Sequence, residues 1–325
     1  MRILIVPPPS RTLPCRGYGR TQRVCIWLTQ GLEKIGQHVL IGAVKGSEPE
    51  DLPMVIAGKT KPSSNSPRVL RSYFRQLRDH IPYRLDVIHG QGYWIDTIRE
   101  FFPDVPLIAT IHGHGEELSK ENLVFISESQ KREYQRISPG VNGKVIHNPI
   151  KIDEFRYIEE KQDYLLFMAR LDWDVKGIME AIEVARRVGM PLKIAGPGFN
   201  GKVKEAMTPD MEYVGEVFGE RKNQLLANAR ALLYPTKWPE PFGLAPAEAN
   251  ACGTPAVVLN NGAMPEVVKD GVSGFVCDSI DQMCHSVGKL NDIKPADCRD
   301  WVQQFDYRNV AGNYLKFYQQ VRTST

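Results

Sequence analysis

The chain has 325 residues, 42% of them hydrophobic and 24% charged, with a formal net charge of +3, enough to bury the cores of two α/β domains of ordinary size. No uninterrupted apolar run approaches the length of a bilayer span, and the six cysteines form neither a C-x-x-C pair nor a metal-ligand spacing, which argues against a membrane-spanning, disulfide-scaffold or zinc-module reading. The opening MRILIV runs straight into PPPSR without a basic leader region or a small-residue cleavage site, so the expected location is cytoplasmic with free thiols. The charge is uneven: residues 1–80 carry 13 Lys+Arg against 5 Asp+Glu, and the remainder 28 against 33.

Arg2–Val6 reads as a buried strand, followed by a Pro-rich loop. Between Thr21 and Ile35, Val24, Trp27, Leu28, Leu32 and Ile35 recur at helical spacing, and Gly36 closes the segment before a strand over Val39–Val44. Gly17, Tyr18 and Gly19 precede this helix. They are not a dinucleotide fingerprint, because the third glycine is absent and about ten residues separate strand from turn. Lys45–Pro67, rich in Pro, Ser, Gly and Lys, reads as a mobile loop. In the helix that follows, Arg68, Arg71, Arg75 and Arg78 share one face and Val69, Leu70, Tyr73, Phe74 and Leu77 the other. Such a face either lies against anionic lipid, at the inner face of a membrane, or is a solvated face over a buried stripe. Strands over Asp86–His89, Leu107–Ile111, Leu123–Ile126 and Lys144–His147 alternate with helices such as Ser127–Arg136, which implies a parallel sheet. His112 closes the second of these, with His114 two residues on; no third ligand is spaced to complete a metal site.

The polar stretch Asn148–Gln162 marks a domain boundary, after which the alternation restarts. Arg170 and Lys176 stand at a strand end and a helix start, where two cations suit the negative charge that grows on a departing phosphate. Asp172 and Asp174 imitate a D-x-D metal pair, but the flanking cations oppose a dication and a plain turn is preferred. Gly196, Gly198 and Gly201 satisfy G-x-G-x-x-G after LKIA, yet Thr208-Pro209 cuts the following helix short, so the segment is read as a close turn. The run Tyr234–Ala251, YPTKWPEPFGLAPAEANA, organises the rest. A strand ends at Tyr234 and a helix begins near Leu244, with Pro246 tolerated in its first turn. The amides around Phe242, Gly243 and Leu244 then face outward with the helix dipole behind them, which suits a diphosphate, while Glu240 and Glu248 bracket it to accept hydroxyls on either side. Sugar, diphosphate and ribose together are a nucleotide sugar.

The E-x-F-G-x-x-x-x-E pattern over Glu240–Glu248, with the ACGTPAVV that follows, resembles the signature of the family 4 retaining glycosyltransferases. The resemblance implies an α/β protein of the GT-B fold, two Rossmann-like domains facing each other across a cleft: residues 1–150 with a C-terminal helix over about 303–325 on the acceptor side, and 151–302 on the donor side. It implies Arg170, Lys176, Glu240 and His112 as catalytic residues, and Gly19, Gly196, Val217, Phe242, Gly243, Leu244 and Glu248 as donor contacts. Tyr18 stands where the family has the first glycine of a pair, and Ala169 where it often has glycine. The expected reaction moves a sugar from a nucleoside diphosphate donor, UDP-linked by first guess, to a hydroxyl on a small-molecule, glycan or lipid-linked acceptor. Neither metal nor other cofactor is expected, and no nucleic acid partner. The rival readings are a GT-B-like sugar-nucleotide epimerase, for which no motif is present, and a nucleotide-sugar-binding protein without turnover.

Overall fold

The computed structural model describes residues 1–14, 19–48, 52–58, 67–92, 94–113 and 122–323. Gly17, Tyr18 and His114 lie outside them. In chain order they form β1 (Arg2–Val6), α1 (Arg20–Lys34), β2 (His38–Ala43), β3 (Met54–Ile56), α2 (Pro67–His80), β4 (Val87–Gly90), α3 (Ile95–Phe101), β5 (Leu107–Ile111), β6 (Leu123–Phe125), α4 (Glu128–Ile137) and β7 (Gly143–Val145). These continue into β8 (Leu165–Met168), α5 (Ile178–Val188), β9 (Leu192–Ala195), α6 (Gly201–Ala206), β10 (Met211–Gly215), α7 (Gly219–Asn228), β11 (Ala231–Tyr234), α8 (Leu244–Ala251), β12 (Ala256–Leu259), α9 (Met264–Val267), β13 (Gly274–Cys277), α10 (Ile280–Val287), α11 (Pro295–Val302) and α12 (Tyr307–Thr323). The chain divides into two units, Met1–Ile150 with Phe305–Thr325, and Lys151–Gln304.

The first unit holds one sheet in the order β3-β2-β1-β4-β5-β6-β7, with every neighbouring pair parallel. Parallel pairing needs crossover helices, and those helices cover both faces, which is why RILIV is continuously apolar rather than alternating. Ile3 and Ile5 point to the face packed by Leu28 and Leu32 of α1 and by Val310, Tyr314 and Tyr318 of α12. Leu4 and Val6 point to the opposite face, with Leu70, Phe74 and Leu77 of α2. Gly31 lets α12 approach, since a Cβ there would collide with the Tyr307 carbonyl; this explains a glycine inside a helix, where it ordinarily costs about 1 kcal/mol.

Two expectations are corrected. The segment read as a continuous mobile loop contains the edge strand β3, tied by bonds such as Ala57 N–H to the Ala43 carbonyl at 2.8 Å. Three residues after Pro53 give no periodicity, and an edge position tolerates a proline beside it. Val69, grouped with the buried stripe of α2, is 38% exposed, whereas Leu70, Tyr73, Phe74 and Leu77 are buried and all four arginines face out. The apolar stripe is therefore narrower than the sequence pattern.

The second unit repeats the plan with the order β10-β9-β8-β11-β12-β13, again all parallel. The chain winds one way from β8 and the other way from β11, so the topological switch lies between their carboxyl ends, where sheets of this kind bind ligands. The residues leaving β8 and β11 are Ala169-Arg170 and the Pro235–Gly243 loop.

Candidate active site

At the switch point of the second unit, the segment after β8 and the loop after β11 are stapled into one piece. The amides of Lys237 and Trp238 donate to the Val175 carbonyl at 2.8 and 3.2 Å, and Lys237 Nζ reaches Glu180 Oε1 on α5 at 2.7 Å. Gly177 caps the short turn before α5 with φ +84°, and a Cβ there would collide with the Pro235 carbonyl. Both the left-handed backbone and the close approach require glycine.

Glu240 lies in this loop and is 4% exposed. Burial of a carboxylate is costly unless it is paired and hydrogen-bonded. Lys176, itself 2% exposed, donates to Oε1, and the Tyr234 hydroxyl donates to the same oxygen at 2.7 Å. Both of these donors meet Oε1, not Oε2. Gly262, φ +58°, lies against the Glu240 backbone, and the Ala263 amide donates to the Glu240 carbonyl at 2.9 Å. The Asn260–Glu266 turn thus sets where Glu240 sits.

Helix α8 starts beside it. Gly243 is its N-cap, with φ +92° and no side-chain cap, and a Cβ there would collide with the Met264 methyl. Phe242, Gly243 and Leu244 stand at the positive end of this eight-residue helix, whose N-cap supplies no side-chain bond. Glu248 lies one turn in, 2% exposed, with Lys222 Nζ of α7 2.5 Å from its Oε2. Lys222 is 6% exposed and packs over the Phe155 ring. Each of the two site acids therefore carries its own buried lysine.

Arg170 is placed differently from Lys176. Its side chain is 47% exposed and forks onto Asp172, with bonds of 3.0 and 2.7 Å. The Arg170 fork holds the Asp172 carboxyl below the usual range. Asp174 is tied instead to Lys202 at 3.0 Å, so the two acids of the D-x-D triplet answer different cations. Gly196, φ +142°, sits where a Cβ would collide with the Ala169 carbonyl, and Gly198 where it would meet the Asp172 carboxyl. The G-x-G turn is thus packed against the strand end that carries Arg170. Val217, 7% exposed, lies between β10 and α7, and the rings of Phe199 and Tyr213 stack 4.1 Å apart and 6° from parallel. Trp173 and Trp238 pair at 5.1 Å, with Lys176 Nζ 4.6 Å from the Trp173 ring centre.

His112 and Gly19 belong to the first unit. Gly19 is the N-cap of α1 with φ −152°, a conformation open to any residue. His112 follows β5, half-buried, with Nε2 2.7 Å from Gln91 Oε1. Burial pushes its pKa down to about 4, so it is neutral near pH 7.

Residues 150–293 match the family model described as glycosyl transferases group 1. Over this segment the chain is similar to the group 1 glycosyltransferases. The match covers most of the second unit and, with it, Arg170, Lys176, Glu240 and Glu248. A glycogen synthase of Mycobacterium tuberculosis (strain ATCC 25618 / H37Rv) is 27% identical over 238 residues, 60% of this chain and 57% of that protein. The chain thus spans under two thirds of that relative's length. Among solved structures, AviGT4, a glycosyltransferase involved in avilamycin A biosynthesis, superposes with a TM-score of 0.81 at 24% identity, over 100% of this chain and 98% of that one. Anabaena HepE in complex with UDP and glucose gives 0.73 at 15% identity, over 98% and 100%. These likenesses establish the fold as GT-B.

Sequence reasoning missed Lys222, Tyr234 as a hydrogen-bond donor, Gly262 and Gln91. Lys222 sits in a helix whose neighbours Arg221 and Asn223 are ordinary surface residues. Only the approach of α7 to α8 marks it. Gly262 did carry a signal, an Asn-Gly turn pair right after a strand.

Proposed function

We propose that the chain is a retaining glycosyltransferase that transfers a hexosyl group from a nucleoside diphosphate sugar, UDP-linked by preference, to a hydroxyl acceptor without a metal ion. The observation that carries this reading is Glu240: a buried carboxylate at the topological switch, fixed through one oxygen by Lys176 and Tyr234, and in this reading accepting sugar hydroxyls through the other. The start of α8 supplies amides for the diphosphate, and Arg170, half-exposed beyond β8 and paired with Asp172, a cation. HepE, of the same fold, is bound to UDP and glucose, which favours uridine as the first base to try.

In this reading the bond between the anomeric carbon and the phosphate oxygen breaks as the acceptor oxygen approaches from the same face, and the leaving phosphate oxygen takes the acceptor's proton. Arg170 and the α8 amides stabilise the charge that develops on the phosphate. Lys176 acts one step back: its bond to Oε1 holds the Glu240 carboxyl in orientation. Val217 and the Gly196 turn line the base and phosphate side, and Glu248 the ribose. The four exposed arginines of α2 supply a cationic face for a membrane-bound acceptor at the inner surface of a cytoplasmic membrane, with Arg71 held by Glu100 at 3.0 Å and Arg78 by Asp79 at 3.1 Å.

The test is a melting-temperature screen across UDP-, GDP- and ADP-sugars followed by product analysis. A ligand at 100 times its Kd adds about 2.7 kcal/mol to the folded form. One donor class should raise the melting point, and the product should keep the donor's anomeric configuration by proton NMR. If no donor shifts the transition, or if the product is inverted, the proposal is wrong.

A further inference from the structure

The first unit has its own switch point, between β1 and β4, and Gln91 is the first residue beyond β4. Behind it runs a chain of buried polar groups that the reaction described above does not use. His89, 0% exposed, has Nδ1 2.7 Å from the Tyr318 hydroxyl and Nε2 2.7 Å from Thr110 Oγ1, and Thr110 Oγ1 is 2.8 Å from the Tyr314 hydroxyl. Tyr314 and Tyr318 both come from α12. The two in-plane positions of the His89 ring are thus taken by hydroxyls. Gln91 Nε2 lies 3.0 Å from one ring nitrogen and 3.3 Å from the other, and an atom that near both can only sit over the ring face.

That placement decides which way the Gln91 amide points. The amino group is attracted to the electron-rich face of a neutral ring, whereas a carbonyl oxygen there would be repelled. His89 is neutral, because burial, then the neighbouring His112, lower its pKa to about 3. The carbonyl end therefore faces His112, and an amide oxygen only accepts. His112 Nε2 must carry the proton of that 2.7 Å bond. Among the described residues nothing is bonded to His112 Nδ1.

We propose that Gln91 is a positioning residue: braced over His89 by the network reaching Tyr314 and Tyr318, it locks His112 as the Nε2–H tautomer and presents Nδ1 as a bare acceptor for a substrate hydroxyl. The tautomer follows from the first unit alone. The hydroxyl ligand rests on the glycosyltransferase reading.

Long-range proton–nitrogen correlation NMR of the full chain labelled with 15N-histidine tests it, with His112 assigned by its loss in His112→Asn. Between pH 5.5 and 8, a range set by the ordinary histidine value of about 6.5, His112 should show a protonated Nε2 and a bare Nδ1. An Nδ1–H tautomer or an imidazolium overturns the proposal. Gln91→Glu keeps an oxygen acceptor but adds a charge, so His112 should stay protonated at Nε2 and begin to titrate within that range; an unchanged titration also overturns it. In transfer assays Gln91→Leu should lower kcat/KM by about 10- to 100-fold with an unchanged melting point. Loss of activity only in step with unfolding would reduce Gln91 to a packing residue. Because the NMR readout needs no sugar, failure of every donor to bind would sink the proposed function and leave the tautomer assignment standing.

Discussion

Glu240 was visible in the sequence as one of two acids eight residues apart, but its environment was not. Carboxylates at such a spacing are read most simply as reaching outward, and the structure instead buries both, each against a lysine distant in the chain: Lys176 for Glu240 and Lys222 for Glu248. Breaking a buried pair by deleting one partner leaves an uncompensated charge, which costs about 3–5 kcal/mol. Lys176→Met should therefore destabilise the chain by roughly that amount in urea unfolding, and adding Glu240→Gln should restore most of it. A double variant no more stable than the single would show that Lys176 acts through Trp173 rather than through Glu240.

At the scale of elements, the site depends on two short connections meeting. The turn entering α5 and the loop leaving β11 touch through Gly177, which has both a left-handed backbone and no room for a Cβ against Pro235. Gly177→Ala should cost about 1–2 kcal/mol for the backbone alone, plus the displacement of the Pro235 carbonyl. The displaced loop carries Glu240, so donor affinity should fall along with the melting point. An unchanged affinity in a destabilised variant would mean that the loop holds its place through Lys237 and Glu180. The sequence marked a helix start at Lys176 but not the role of Gly177 beside it. It marked the strands and helices well, because apolar runs and helical spacing are local properties, and it lost β3 because three edge residues carry too little pattern to stand out from a polar loop.

On the scale of the whole molecule, the buried histidines tie stability to pH. His89 and His112 have folded pKa values of about 3 and 4, against an ordinary value of 6.5, so between those limits the unfolded chain binds more protons than the folded one. Stability then rises with pH, and it is lost as pH falls below 6.5, by roughly 1.4 kcal/mol per unit for each group until its own folded pKa is reached. Urea unfolding from pH 7 down to 4.5 should show this slope, reduced by one proton in His112→Asn; an identical slope in the variant would place the proton elsewhere. What the sequence determined by itself was the α/β alternation, the parallel strands and the acids, cations and glycines of the candidate site, since all of these are written in neighbouring residues. What only the tertiary structure decided was their pairing: Lys176 with Glu240, Lys222 with Glu248, Gly262 against the Glu240 backbone, and Gln91 between two histidines. Those partners lie between about twenty and more than sixty residues apart, except for Gln91 and His89, and no local pattern encodes which distant side chain will share a buried charge or proton.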